Sequence, residues 1–244
     1  MIMSRRRVET TLFMIVSVDG KISTGDSDLL DMDRDFPRIK GIREGYPQYD
    51  VLLSKTDQYC LNTGKVMAKI GVNTRKEEPE KIEFCFIIID RKPHLNENGI
   101  RYLTKWAKML YIVTNNHHHP AFNLKDIENL EIIYYPEKID LENLLIRFRK
   151  DYGVERITIY PGGTLNSVFL RKKLFDHLSI VIAPALIGGK NTSTLIDGES
   201  LHTPNDLIHV KALKLKKFNV LKDSYLHLYY DVINETEIEP YKYQ

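Results

Sequence analysis

The chain has 244 residues, 43% apolar, 28% charged and 10% aromatic, with 13 Gly, 10 Pro and a formal net charge of +2. Roughly one to two domains fit that length, and such a chain buries about 70% or more of the surface it exposes when unfolded, so no disulfide or metal staple is required. The composition excludes collagen-like, low-complexity and disordered chains, and the near-neutral charge gives no reason to expect a nucleic-acid groove or a polybasic membrane arm.

At the N-terminus, Arg5-Arg6-Arg7 ahead of Leu12 to Val16 imitates a secretion signal. Glu9 interrupts the stretch and no small-residue cleavage site follows, so a mature cytoplasmic protein is expected. Cys60 and Cys85 are too few for a disulfide framework or a cysteine-rich zinc site and read as reduced thiols. The longest apolar run, Phe84 to Ile89, falls far short of the ~20 residues of a membrane helix.

Thr10 to Val18 predicts a first strand and Tyr49 to Leu53 a second. Between them Asp26 to Arg43 is charged, with Phe36 and Ile39, and reads as a loop and helix over a ligand. Its Asp31, Asp33 and Asp35 lack the Gly and terminal Glu of a calcium loop, and no metal is expected. Asn73 to Lys81 is a polar surface loop. Phe84 to Asp90 predicts an Ile-rich strand covered on both faces. Tyr102, Leu103, Trp106 and Leu110 have the spacing of a helix facing the core. Strands follow at Leu110 to Thr114 and Leu130 to Tyr135, and His117-His118-His119 reads as a solvated loop.

Asp140 caps a helix carrying Leu141, Leu144, Leu145 and Phe148, with Gly153 as its left-handed end. Arg156 to Tyr160 is a strand, Leu165 to Lys173 a helix and His177 to Ala183 a strand. Val210 to Phe218 and Tyr225 to Ile233 alternate apolar and polar residues as an antiparallel hairpin. The β-α-β alternation predicts an α/β fold in one domain, 1–244: a mostly parallel sheet with flanking helices and an antiparallel C-terminal addition.

The most informative stretch runs from Glu155 to Gly189. A strand enters Pro161-Gly162-Gly163-Thr164 and a helix begins at once. Adjacent glycines let the backbone approach a ligand closely. Unpaired N–H groups near Thr164, Leu165 and Asn166 favour an anion such as a phosphate. A tight turn needing glycine for sterics alone accounts for the same pattern. No GxGxxG and no GxxxxGK[ST] is present. Two more strand ends carry turn signals, Ser17-Val18-Asp19-Gly20-Lys21 and Ala183-Pro184-Ala185-Leu186-Ile187-Gly188-Gly189. Ligands of open α/β sheets bind at such ends.

Together, Ser17 to Lys21 (SVDGK), Pro161 to Leu165 (PGGTL) followed by Leu174-Phe175-Asp176, and Ala183 to Gly189 (APALIGG) resemble the riboflavin-biosynthesis reductases. This is the C-terminal reductase domain of the bifunctional deaminase–reductase, with a dihydrofolate-reductase-like fold. The resemblance extends over nearly the whole chain. It implies NADPH as cofactor, with its diphosphate at Gly162, Gly163, Thr164 and Leu165 and its adenosine end near Thr114 and Asn115. It puts Ser17, Asp19 and Lys21 beside the nicotinamide and substrate, with Asp19 and Lys21 as the catalytic pair. The family's Gly-x-x-Thr stretch after the second strand is replaced here by Ser54-Lys55-Thr56-Asp57, so Ser54 and Thr56 are the candidate substrate contacts.

The family's Asp-Asn-Pro turn is missing, and Pro161 stands where an acidic residue or Gln is frequent. No zinc-deaminase signature occurs. The implied reaction is hydride transfer to C1′ of a ribosylamino-pyrimidine phosphate, with Lys21 as a cation or proton donor and Asp19 holding sugar hydroxyls or stabilising an iminium charge. Reduction of another small heterocycle such as a pterin, or nucleotide binding without catalysis, are the alternatives. A homodimer is implied, with Tyr229-Tyr230 and Tyr241 to Tyr243 as candidate contacts. No nucleic-acid or membrane partner is expected.

Overall fold

The computed structural model describes residues 6–239, so Arg5 and the Tyr241 to Tyr243 tyrosines lie outside the described residues. The chain forms two compact units. A split unit holds Thr10–Ser54 and everything from Gly162 onward; an inserted unit holds Lys55–Pro161 and the chain up to Glu9. The described strands, in chain order, are β1 (Glu9–Ser17), β2 (Tyr59–Thr63), β3 (Cys85–Ile89), β4 (Met109–Thr114), β5 (Leu130–Tyr134), β6 (Arg156–Ile159), β7 (His177–Ala183), β8 (Ala212–Val220) and β9 (Leu226–Ile233). The α-helices are α1 (Met32–Asp35), α2 (Pro47–Leu53), α3 (Gly64–Lys69), α4 (Glu97–Trp106), α5 (Leu141–Asp151) and α6 (Gly163–Arg171). Among the described residues no helix is long and apolar enough to cross a membrane.

In the inserted unit the strands lie in the order β5-β4-β3-β2-β6, every pair parallel. All five residues of β3 are buried, which is why its sequence is continuously apolar rather than alternating. Cys60, Phe86, Ile88, Leu110 and Ile112 pack with residues of α3 and α4, including Met67, Ile100 and Leu103. Tyr111 meets Phe148 of α5 edge-on at 5.0 Å. Each fully buried Leu, Ile or Phe contributes about 1.5–3 kcal/mol. Asp140 caps α5 by accepting from Glu142 and Asn143 N–H, and Gly153 takes φ +68° just beyond its end, as the sequence predicts.

In the split unit β1 pairs parallel with β7, and β7, β9 and β8 continue antiparallel. Phe13, Ile15, Val181, Ala183 and the fully buried Tyr225 form its core with Met32, Phe36, Tyr46 and Tyr49.

Several expectations are corrected. Tyr49 to Leu53 is not a strand but most of α2. Pro47 occupies the first helical turn, and Tyr46 and Tyr49, one turn apart, both reach the core; Tyr49 stacks on Phe13 at 5.3 Å. The second strand is Tyr59–Thr63. Leu110 belongs to β4, because α4 ends at Trp106 and the backbone of the next residue, Ala107, is extended. Helix α6 starts at Gly163, two positions before the expected Leu165. Of the three histidines, His119 is fully buried while His117 and His118 are exposed. Asp31 caps α1, Asp33 accepts from Tyr46 Oη at 2.8 Å, and Asp35 accepts from Thr24 and from Asp31 N–H.

Candidate active site

In the split unit β1 runs into a closed turn. Gly20 N–H donates to Ser17 O at 2.9 Å, with Gly20 at φ +76°. Ser17 is buried; its Oγ donates to Asp19 Oδ1 at 2.6 Å and accepts from Lys21 N–H at 2.9 Å. The exposed Asp19 carboxylate reaches the loop after β7 and accepts N–H groups from Ile187 (3.1 Å) and Gly188 (2.6 Å). The Ser17 hydroxyl above all, with the Gly188 and Ile187 N–H groups, outweighs the opposing effect of burial and brings the Asp19 carboxyl down to about 2. The group is therefore ionised at physiological pH.

Lys21 is 9% exposed. Its ammonium donates to Gly189 O at 2.7 Å and Thr192 O at 3.1 Å. Two of its three protons are thereby committed to backbone carbonyls. Gly188 and Gly189, at φ +71° and +83°, turn the chain so that these carbonyls and N–H groups face the β1 turn.

Beyond them a strap, Gly189 to Gly198, runs from one candidate turn to the other. Ile22 N–H donates to Ser193 O at 3.0 Å, Lys21 forms an antiparallel bridge with Thr194, and Leu195 N–H donates to Gly20 O at 3.0 Å. Farther along, Asp197 N–H donates to Gly163 O at 3.1 Å and Leu195 O accepts Asn166 Nδ2 at 2.8 Å. Asp197 Oδ1 closes the strap on itself by accepting from Thr194 N–H and Oγ1 at 2.9 and 2.7 Å.

The two glycines at the start of α6 differ. A Cβ on Gly163 would collide with Thr194 O and the Asp197 carboxylate, whereas one on Gly162 would meet nothing within 4 Å. Gly163 is there for packing, and Gly162 presents the open face. The sequence-based list of free donors needs correction. Leu165 and Asn166 N–H both turn back to Gly162 O at 3.1 and 3.2 Å, because the first turn of α6 tightens. The N–H groups of Gly163 and Thr164 have no partner among the described residues. They suit an anion at a helix start.

In the inserted unit, Asp90 follows β3 and is 1% exposed. Its carboxylate accepts from His119 Nε2 (3.1 Å), from Leu95 and His94 N–H (3.0 and 3.2 Å), and meets His94 Nδ1 at 2.9 Å. Because His119 Nδ1 accepts from Ala121 N–H at 3.2 Å, the proton lies on Nε2. Thr114 is buried and its Oγ1 donates to Asp90 O at 2.8 Å; Asn115 Nδ2 donates to Glu137 O at 2.6 Å. Thr56 is half-buried in this unit. Ser54, in the split unit, ends α2 and donates to Val51 O of its own helix at 2.9 Å.

The structure thus draws Ser17, Asp19, Lys21, Gly162 and Gly163 into one hydrogen-bonded assembly. Thr194, Asp197 and Asp90 were missed, Asn166 was considered only for its backbone N–H, and His119 was read as solvated. A polar residue ending a fully apolar strand was the available signal for Asp90; the Asp197-Gly198 pair was the signal for the strap. Burial pushes the Cys60 thiol up to about 12, so it is no nucleophile. The assembly offers an anion cradle and a fixed negative charge.

Residues 9–226 match the model of the RibD C-terminal domain. The chain belongs to this family. That family of riboflavin-biosynthesis reductases is the one its three strand-end motifs resemble. Among its relatives is the 2,5-diamino-6-ribosylamino-4(3H)-pyrimidinone 5′-phosphate reductase of Archaeoglobus fulgidus, 37% identical over 195 residues, 75% of this chain and 84% of the relative. The enzyme of that name from Methanothermobacter thermautotrophicus is 36% identical over 74 residues, 30% of this chain and 34% of its own length. The match to the Aquifex aeolicus enzyme spans 46% of that protein.

Among solved structures, RibD of Acinetobacter baumannii superposes with a TM-score of 0.66 at 18% identity, over 94% of this chain and 59% of that one. The riboflavin biosynthesis reductase of Saccharomyces cerevisiae gives 0.60 at 14%, over 95% and 93%. These structures establish the RibD-type, dihydrofolate-reductase-like fold, with its mostly parallel sheet and antiparallel C-terminal strands.

Proposed function

We propose that this member of the RibD C-terminal domain family is an NADPH-dependent reductase acting on a ribosylamino-pyrimidine 5′-phosphate, with both units working as one reductase domain. The supporting observation is the start of α6, where Gly162 leaves its face open and the Gly163 and Thr164 N–H groups have no partner among the described residues. That donor set fits a dinucleotide diphosphate held by Gly162, Gly163 and Thr164, with Leu165 as a wall. Thr114 and Asn115 are assigned to the adenosine end on the family resemblance, as is NADPH over NADH. When bound, the reduced nicotinamide supplies a hydride.

The residues of the chain orient and stabilise. Ser17 fixes the turn, with Ser54 and Thr56 as the candidate substrate contacts. The ionised Asp19 lies where positive charge on an iminium nitrogen is favoured, and Lys21 retains one uncommitted proton. The names of the relatives favour the pyrimidine substrate over a pterin. NADPH and 2,5-diamino-6-ribosylamino-4(3H)-pyrimidinone 5′-phosphate, mixed with the purified chain, are expected to give substrate-dependent loss of reduced-nicotinamide absorbance, faster than with NADH. Failure to bind either coenzyme would overturn the assignment. A freely diffusing cofactor and substrate suit a cytoplasmic enzyme.

A homodimer is part of the same reading. The β7-β9-β8 register places Leu213, Leu215, Phe218, Val220, Leu226 and Leu228 on one face of the sheet. Phe218 is 65% and Val220 73% exposed. An apolar sheet face of this kind fits a second copy of itself. Light scattering is expected to report a dimer, and Phe218→Asp a monomer; a monomeric parent protein would rule this out.

A further inference from the structure

The strap connects two parts of the site that the family reading treats separately, the glycine turn that receives the cofactor and the Ser17–Lys21 turn beside the reacting centre. Its attachments at the two ends differ. At the β1 turn they are several: Ile22 N–H to Ser193 O, Leu195 N–H to Gly20 O, and the Lys21 ammonium to Gly189 O and Thr192 O. At α6 there are two among the described residues, Asp197 N–H to Gly163 O and Asn166 Nδ2 to Leu195 O. Only the second comes from a side chain.

Asn166 is fully buried, and its Oδ1 is the one buried side-chain N or O atom with no partner among the described residues. Its Nδ2 acts on Leu195, the residue whose own N–H holds Gly20. Leu195 therefore carries both the β1-turn anchor, on its N–H, and the α6 anchor, on its C=O. A half-satisfied buried amide is a poor stabiliser, because the bond made by Nδ2 is opposed by the desolvated Oδ1.

We propose that Asn166 is a positioning residue: through Leu195 it couples occupancy of the glycine turn to the geometry of the Ser17–Lys21 turn. It touches neither the substrate nor the reacting atoms in this scheme. Its amide fixes the strap at α6, the strap fixes Gly20 and the carbonyls that hold Lys21, and cofactor seated at Gly162 stiffens the whole connection. The inference rests on the reductase reading and assigns the signal path within the site. A residue acting only on cofactor affinity would alter KM for the cofactor and leave kcat at saturation unchanged.

The test compares the parent protein with Asn166→Ala, Asn166→Asp and Thr194→Val. Asn166→Ala is expected to raise cofactor KM and to lower kcat at saturating cofactor, each by about three- to tenfold, the usual consequence of one lost hydrogen bond. Its melting temperature is expected to stay within a few degrees of the parent's, which separates positioning from folding. Asn166→Asp faces Leu195 O with a carboxylate, so its kcat is expected to recover as the pH falls and the buried acid regains a proton to donate. Thr194→Val removes the hydroxyl bonds to Ile196 O and Asp197 Oδ1 within the strap while leaving Asn166 in place, and is expected to lower kcat more than it raises KM.

Amide hydrogen exchange supplies a readout independent of turnover. NADPH is expected to protect the Gly20 and Leu195 amides in the parent and to leave them unprotected in Asn166→Ala at saturating cofactor. A parent protein that neither binds nor turns over NADPH removes the reductase reading itself. An active parent whose Asn166→Ala variant shows a higher cofactor KM, an unchanged kcat and normal protection of Gly20 overturns the coupling alone.

Discussion

Two carboxylates, one in each unit, are held in their charged form by opposite means. Asp90 of the inserted unit is sealed from solvent; burial alone would raise its pKa, but hydrogen bonds from His119, Leu95 N–H and His94 together bring it below the ordinary aspartate value. Asp19 of the split unit is exposed, and a hydroxyl and two loop amides suffice. The first is a hub. It ties the end of β3 to the segment after β4, and it stands so close to Gly64 that a Cβ there would collide with it. The second is a latch on a loop. A buried charge organises structure because leaving it unpaired is costly, whereas an exposed one can organise a loop without the fold depending on it.

The sharpest way to break this contrast is to remove the hub. Asp90→Ala is expected to destabilise the protein by about 2–5 kcal/mol, since it strands two buried donors, His119 Nε2 and Leu95 N–H; a denaturation curve near the parent's would show that the cluster is incidental. Next come the two glycines. Gly163→Ala must displace backbone at Thr194 and is expected to cost about 1–3 kcal/mol. Gly162→Ala is expected to leave the melting temperature unchanged and to raise cofactor KM about tenfold, and equal effects of the two changes on stability would contradict the open-and-closed distinction.

The pH dependence follows from the depressed pKa of Asp90. Its contribution to stability is complete above the unfolded aspartate value of about 4 and disappears as pH falls through the lower folded value. Acid titration of stability should therefore be steeper in the parent than in Asp90→Asn. The smallest effect on the fold is expected from Asp19→Asn, about 0.5–1.5 kcal/mol at most. The same change should lower kcat, because one loop amide then faces an NH₂ group instead of an acceptor.

Most strands were legible because their neighbours enforce the pattern. β3 is covered on both faces and is apolar throughout, and β8 and β9 carry their leucines at alternate positions of an antiparallel pair. Tyr49 to Leu53 misled because Val51-Leu52-Leu53 is a short apolar run, and such runs suit a helix or a strand alike; the Tyr46–Tyr49 spacing and Pro47 were the better guide. Ser17, Asp19 and the glycine pair could be found because turns need particular residue types. The strap could not. Its bonds are made mostly by backbone groups of Ser193, Leu195 and Asp197, and main-chain atoms leave no trace in residue identity. His119 was misplaced because its partner, Asp90, lies 29 positions away in the chain.

The split construction of one unit also sets an order of events at the ribosome. Every strand of the inserted unit has been synthesised once Ile159 is in place, so its parallel sheet can assemble during translation. β1 is made far earlier, yet its partner β7 begins only at His177 and the closing hairpin ends at Ile233. A nascent chain that has only reached Ile159 therefore still lacks β7, β9 and β8, and apolar β1 is a stretch that chaperones can bind and that aggregation can capture.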